Sequence, residues 1–265
     1  MNISPYLLFK MTLFLYMAVA MHIVLPTPGG SGLYIAPNVF GWIFIFSLIG
    51  CCLWEIVKTK VLVVNKVDYF ILIGTILFVI PLCYSSSDFS TTIFRVLGLC
   101  FGALLLFCLS QLKLGKVQKG EILSILQIGI FIECLIGLIQ FFILTQFEIQ
   151  ILGYTPIFDR PYGSFTQPNV MASSMATGVV LALFLIFYAE KFSLKKWVIN
   201  VSYFNLLSCT LLLIPMQSKT GFLGLIISMI LLLFIFKNHF PLFKKAISFL
   251  IMGGGNWIGV YKLFK

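Results

Sequence analysis

The sequence predicts an all-α fold: a polytopic transmembrane helical bundle of about eight to nine helices whose N-terminus is cytoplasmic. Three observations carry that expectation. The chain is 60% hydrophobic and only 10% charged, where a soluble domain carries roughly a quarter charged residues. Its apolar residues fall in blocks of about 20, the length that spans a bilayer as a helix. Its lysines gather in every second gap between those blocks, as the positive-inside rule requires of cytoplasmic loops.

Taken in order, the blocks run over 6–24, 38–57, 67–84, 93–111, 122–144, 169–189, 198–216 and 222–237, with a ninth, shorter candidate at 246–261 broken by Gly253, Gly254 and Gly255. The first has no small-residue cleavage site behind it and reads as a retained helix, with Lys10 reaching back to the interface. Lys58, Lys60 and Lys66 follow the second block. Lys113, Lys116 and Lys119 follow the fourth, Lys191, Lys195 and Lys196 the sixth, and Lys237, Lys244 and Lys245 the eighth. The alternate gaps are nearly free of cations: none in 25–37, none in 85–92, Arg160 in 145–168 and Lys219 in 217–221. The pattern places the lysine-rich loops in the cytoplasm and the others outside, in an inner-membrane, multi-pass arrangement. No internal repeat or linker interrupts it, so residues 1–265 read as a single membrane domain whose main outer loop is 145–168.

Composition also excludes classes of function. A net charge of +10 attracts nucleic acid when it forms a patch, but these cations are dispersed at helix ends, so no nucleic-acid partner is expected. The seven cysteines show neither C-x-x-C nor Cys/His spacing, which argues against a zinc site or a disulfide framework and for small apolar packing residues. No metal-ligand spacing and no cofactor motif is present.

Polar chemistry concentrates in Phe158-Asp-Arg-Pro-Tyr-Gly-Ser-Phe-Thr-Gln-Pro-Asn-Val-Met-Ala172. Pro161 and Gly163 punctuate the loop, and Pro168 with Asn169 fits a helix start at which an Asn side chain caps free N–H groups. Arg160 is the only arginine of an outer loop, and arginine grips phosphate oxygens through paired hydrogen bonds. Pairing with Asp159 or with lipid headgroups is the plainer alternative.

The run Arg160-Pro-Tyr-Gly163-Ser-Phe-Thr-Gln167-Pro168-Asn169-Val-Met-Ala172 resembles the R-x-x-G-x-x-x-(Q)-P-N-x-x-A signature of the O-antigen ligase and polymerase superfamily. The glutamine before Pro-Asn is most similar to the protein O-glycosylation (pilin glycosylation) ligase branch. Gln217-Ser218-Lys219-Thr220-Gly221 resembles that branch's Q-S-R-T-G motif. The resemblance implies a membrane glycosyltransferase that moves a glycan from undecaprenyl diphosphate to a protein, lipid A–core or growing glycan at the periplasmic face. It implies no metal or other cofactor, and membrane lipid as the surroundings. By the same resemblance Arg160 and Lys219 contact the substrate diphosphate, and Gly163, Gln167, Pro168, Asn169, Ser218 and Gly221 shape the site. Lysine replaces the family's second arginine at 219, keeping the charge and losing the planar fork. The family's catalytic histidine lies in a large outer loop beyond these helices, and the sequence ends at Lys265 before any such loop. The expectation is therefore a C-terminally shortened member with no catalytic residue assigned and activity in question.

Other polar residues carry separate expectations. Glu133 lies mid-helix, where an ionisable group is costly; it is either a hydrogen-bonded structural glutamate or part of a pathway. Arg95 reads as a snorkelling residue. His22 reads as interfacial, and His239 as cytoplasmic. Glu133 and the Gly253 segment also suit the alternative of a transporter or flippase of an amphiphilic substrate. A non-catalytic assembly partner is the third reading.

Overall fold

The computed structural model describes residues 4–23, 36–83, 89–147, 149, 151, 160–165 and 167–235. Among them every regular element is helical. Five helical stretches are long and apolar enough to cross a membrane: Pro5–His22, Val39–Thr59, Lys116–Leu144, Pro168–Phe187 and Lys196–Met216. Val96–Gln111 and Lys219–Leu232 are shorter apolar helices. The candidate at 246–261, the side chain of Arg95, and Glu148, Asp159 and His239 lie outside the described residues. The chain divides into two compact units, Met1–Gly115 and Lys116–Lys265.

In the first unit, α1 (Pro5–Ala18) starts with Pro at its first turn and Ser4 as cap, whose side chain accepts the Leu7 N–H at 3.1 Å. The proline needs no N–H there, and the serine supplies one of the acceptors that a helix start lacks. A short 3₁₀ turn, Ala20–His22, follows, and the buried His22 ring bonds the Met17 carbonyl at 2.8 Å. Then come α2 (Ala36–Thr59), α3 (Lys66–Val79, extended by the 3₁₀ turn Ile80–Cys83) and α4 (Phe89–Gln111). α2 packs on α1 and α4, and α3 packs on α4. Trp42, Phe46 and Phe101 meet with centroids 4.9–5.8 Å apart, in mutual edge and stacked geometries that suit aromatic quadrupoles. The buried Gln111 amide accepts the Val63 N–H at 2.9 Å and donates to the Val63 carbonyl at 2.8 Å. It thereby anchors the extended stretch before α3.

The second unit holds α5 (Lys116–Ile139, continued as the π-helical turn Gln140–Leu144), α6 (Pro168–Phe187), α7 (Lys196–Met216) and α8 (Lys219–Ile235). α6 packs on α5, α7 and α8 and shares the core chiefly with α7; its Met171, Ala172, Met175, Val179 and Leu183 are fully buried. It is apolar nearly all round, as a helix surrounded by other helices must be. Small residues set the spacing. A Cβ on Gly178 would lie 2.6 Å from Ile130 Cγ2 and 2.9 Å from Cys209 Sγ, and one on Gly221 would lie 2.7 Å from Ala172 Cβ. Such contacts are possible only for glycine, the usual device by which membrane helices approach closely. Cys134 and Cys209, both fully buried, touch across α5 and α7 with sulfurs 3.9 Å apart. These two are packing thiols, as their spacing in the sequence implies.

Candidate functional site

The site forms at the end of the second unit where α5 finishes, α6 begins, α7 finishes and α8 begins. The segment from Arg160 to Phe165 does not run over the surface there. Pro161, Tyr162 and Gly163 are buried, and their backbone lies along α5. Irregular backbone so placed must find partners inside the protein, since neither water nor a regular ladder supplies them.

Two α5 side chains meet that demand. Gln140 Oε1 accepts the Tyr162 N–H at 2.9 Å and the Gly163 N–H at 2.8 Å, while Gln140 Nε2 donates to the Gly163 carbonyl at 2.9 Å. Glu133 Oε2 accepts the Ser164 N–H at 3.1 Å, and Glu133 Oε1 accepts the Ser164 hydroxyl. Both side chains are fully buried. They stand seven residues apart, about 10 Å along one helix face at 1.5 Å per residue. Gly163 takes φ +62°, and a Cβ there would run into Glu133 Oε2 and lie 3.1 Å from Met171 Sδ. The position therefore requires glycine for its conformation and for its space. Burial pushes the Tyr162 phenol above its ordinary pKa.

At the exposed edge of this segment, Arg160 Nη2 donates to Gln217 Oε1 at 3.1 Å, across 57 positions of sequence. Gln217 is itself left-handed (φ 51°) and ends α7 just after Pro215, so the chain turns sharply into α8. Ser218, buried at the turn, accepts the Gly221 N–H at 3.2 Å through its hydroxyl and sits 3.1 Å from Thr220 Oγ1. This is an N-cap, worth about 1 kcal/mol. Lys219, exposed, is the first residue of α8. Because Gly221 rests on Ala172, the first turns of α6 and α8 lie side by side.

The eight sequence-selected positions thus converge on one end of one unit. Arg160 and Gln217 bond directly; Lys219 follows two residues after Gln217; Gly163, Ser218 and Gly221 each make a close contact that a larger or apolar residue would break. Pro168 occupies the first turn of α6, as the sequence implies, but Asn169 is not the cap. The cap position is Gln167, which accepts the Val170 and Met171 N–H groups only through its backbone carbonyl, both at 3.2 Å. With proline as the first helical residue, Asn169 is the second and sits two residues past the cap position. It is exposed, and its carbonyl accepts the Ser173 hydroxyl at 3.1 Å. Gln140 is the residue that sequence reasoning missed. Its signal was only that of an amide at the end of an apolar helix.

Chemically, the exposed guanidinium, the exposed Lys219 ammonium and two adjacent helix N-termini all favour an anion. Each N-terminus carries about half a positive charge. No group of three or more His, Cys, Asp or Glu side chains able to hold a metal occurs among the described residues. The class defined by these features is a helical membrane protein with an exposed arginine and an exposed lysine at one end of its second unit. No family model, curated protein or solved structure matches the chain.

Proposed function

We propose that the chain is a multi-pass inner-membrane protein of the O-antigen ligase and polymerase type. It transfers a glycan from undecaprenyl diphosphate to a protein, lipid or glycan acceptor at the periplasmic face. The observation that supports this reading is the hydrogen bond between Arg160 and Gln217, which brings the two motif-bearing segments together where α6 and α8 start. Departure of a diphosphate from an anomeric carbon builds negative charge on the leaving group, and fixed cations and N–H groups near that position lower the barrier. Arg160 and Lys219 supply the cations. Glu133, which the transporter alternative needs as a pathway carboxylate, has both oxygens engaged by Ser164; this favours the transferase reading.

The test has a binding arm and a transfer arm. Farnesyl diphosphate, titrated into detergent-solubilised protein, should bind about 10-fold or more weakly to Arg160→Ala, the loss expected of one charge-assisted contact of about 1.5–3 kcal/mol. Glycan transfer in a strain lacking its own ligase should fall in parallel. Undiminished binding and transfer by Arg160→Ala would remove the site assignment.

Orientation is tested separately. Truncation fusions of a periplasm-active reporter ending at Gln217 should be active, and those ending at Lys116 silent, if the lysine-rich loops are cytoplasmic. The reverse pattern would put Arg160 in the cytosol and end the proposal.

A further inference from the structure

The two α5 side chains that hold the 162–164 backbone have no place in the family signature, yet they decide where Arg160 stands. Tyr162 N–H, Gly163 N–H, Gly163 C=O and Ser164 N–H all bond to Gln140 or Glu133. Gly163 fits at φ +62° only because it has no Cβ to meet Glu133 Oε2 and Met171 Sδ. Arg160 lies two residues before the first of these bonds, and its own side-chain bond to Gln217 is at the exposed rim. A guanidinium on a segment with no ladder of its own is placed by whatever fixes that segment. Here the fixing groups are a carboxylate and an amide on a different, continuous helix.

Resting on the reading of Arg160 as an anion contact, we propose that Glu133 and Gln140 are positioning residues that set the guanidinium against Gln217 and the first turn of α8. They touch no substrate. Glu133 acts by accepting the Ser164 N–H and hydroxyl; a glutamine of the same length keeps an oxygen for the N–H, and its amide N–H can donate to the Ser164 hydroxyl once that hydroxyl rotates, so it serves in its place. This function for the buried carboxylate differs from a translocation pathway and from a catalytic base.

Two measurements on the full chain in detergent test the assignment. The first is amide hydrogen exchange over 160–165. The parent should protect the Tyr162, Gly163 and Ser164 amides. Glu133→Ala and Gly163→Ala should each exchange there about 10-fold faster or more, and Glu133→Gln should stay within about twofold of the parent. Gly163→Ala leaves every polar group in place, so it decides the matter if Glu133→Ala fails to fold.

The second is a mutant cycle on the affinity for farnesyl diphosphate. Glu133→Ala should weaken binding about as much as Arg160→Ala, and adding it to Arg160→Ala should weaken binding no further. Glu133→Gln should restore the parent affinity. A role confined to general stability would make the two losses independent, and additive losses therefore overturn the proposal. So does unchanged protection in Gly163→Ala, or a Glu133→Gln variant as impaired as Glu133→Ala. If Arg160→Ala itself leaves the affinity unchanged, the anion-contact reading fails, while the exchange experiment still shows whether α5 holds the segment.

Discussion

Gln140→Leu is expected to be among the most damaging single replacements in the second unit. Leucine has a similar volume and suits a buried helix position, so the change opens no large cavity. What it removes is the partner of three backbone groups: the Tyr162 and Gly163 N–H groups and the Gly163 carbonyl. All three are held at 2.8–2.9 Å by a side chain with no exposure at all. Each orphaned buried group costs about 1–3 kcal/mol, so the replacement should cost about 3–9 kcal/mol in all, unless the segment leaves its seat. Either way the detergent-solubilised variant should unfold well below the parent temperature, and limited proteolysis should cut between 160 and 165. Parent-like behaviour in both assays would mean that the segment does not depend on α5.

Gln127→Met should act in the opposite direction. Gln127 is fully buried in α5, and neither its amide nitrogen nor its amide oxygen has a hydrogen-bond partner among the described residues. Its neighbour Asn205 on α7 donates to the Gln127 backbone carbonyl at 3.0 Å, but Asn205 Oδ1 also has no partner among them. Methionine matches glutamine in length and volume and carries no group that loses hydration on burial. The replacement should raise stability by about 2–6 kcal/mol, from two desolvated groups at about 1–3 kcal/mol each. A higher unfolding temperature in detergent with unchanged farnesyl diphosphate affinity is the expected result. A destabilised variant would show that the Gln127 amide is satisfied in the folded protein after all.

The helices were legible because their cause is local and repetitive. Apolar blocks with lysine clusters in alternate gaps indicate where helices run, and Pro168 marks a start at the position a first turn prefers; of the eight to nine spans expected, five are long and apolar enough to cross a membrane among the described residues. The convergence of Arg160 with Gln217 was only implied, through motif order, since no local rule relates residues 57 positions apart. The role of Glu133 was half legible. Its cost inside an apolar helix pointed to a hydrogen-bonded partner, but nothing in the sequence said that the partner was Ser164. Gln140 was not legible. Its position depends on the π-helical turn that begins there, where the Thr145 N–H reaches back five residues to the Gln140 carbonyl at 3.0 Å. It depends equally on a backbone segment that folds down beside α5. Asn169 failed for a simpler reason: the adjacent proline is the first helical residue, which puts the cap at Gln167, two residues earlier.

The seating of Gly221 on Ala172 has an electrostatic corollary. Two helices that begin shoulder to shoulder bring like partial charges together, and that repulsion works against the packing which glycine makes possible. Under the proposed function, an oxyanion bound between the two N-termini would offset that repulsion, so binding of the substrate diphosphate and close packing of the helix pair would reinforce each other.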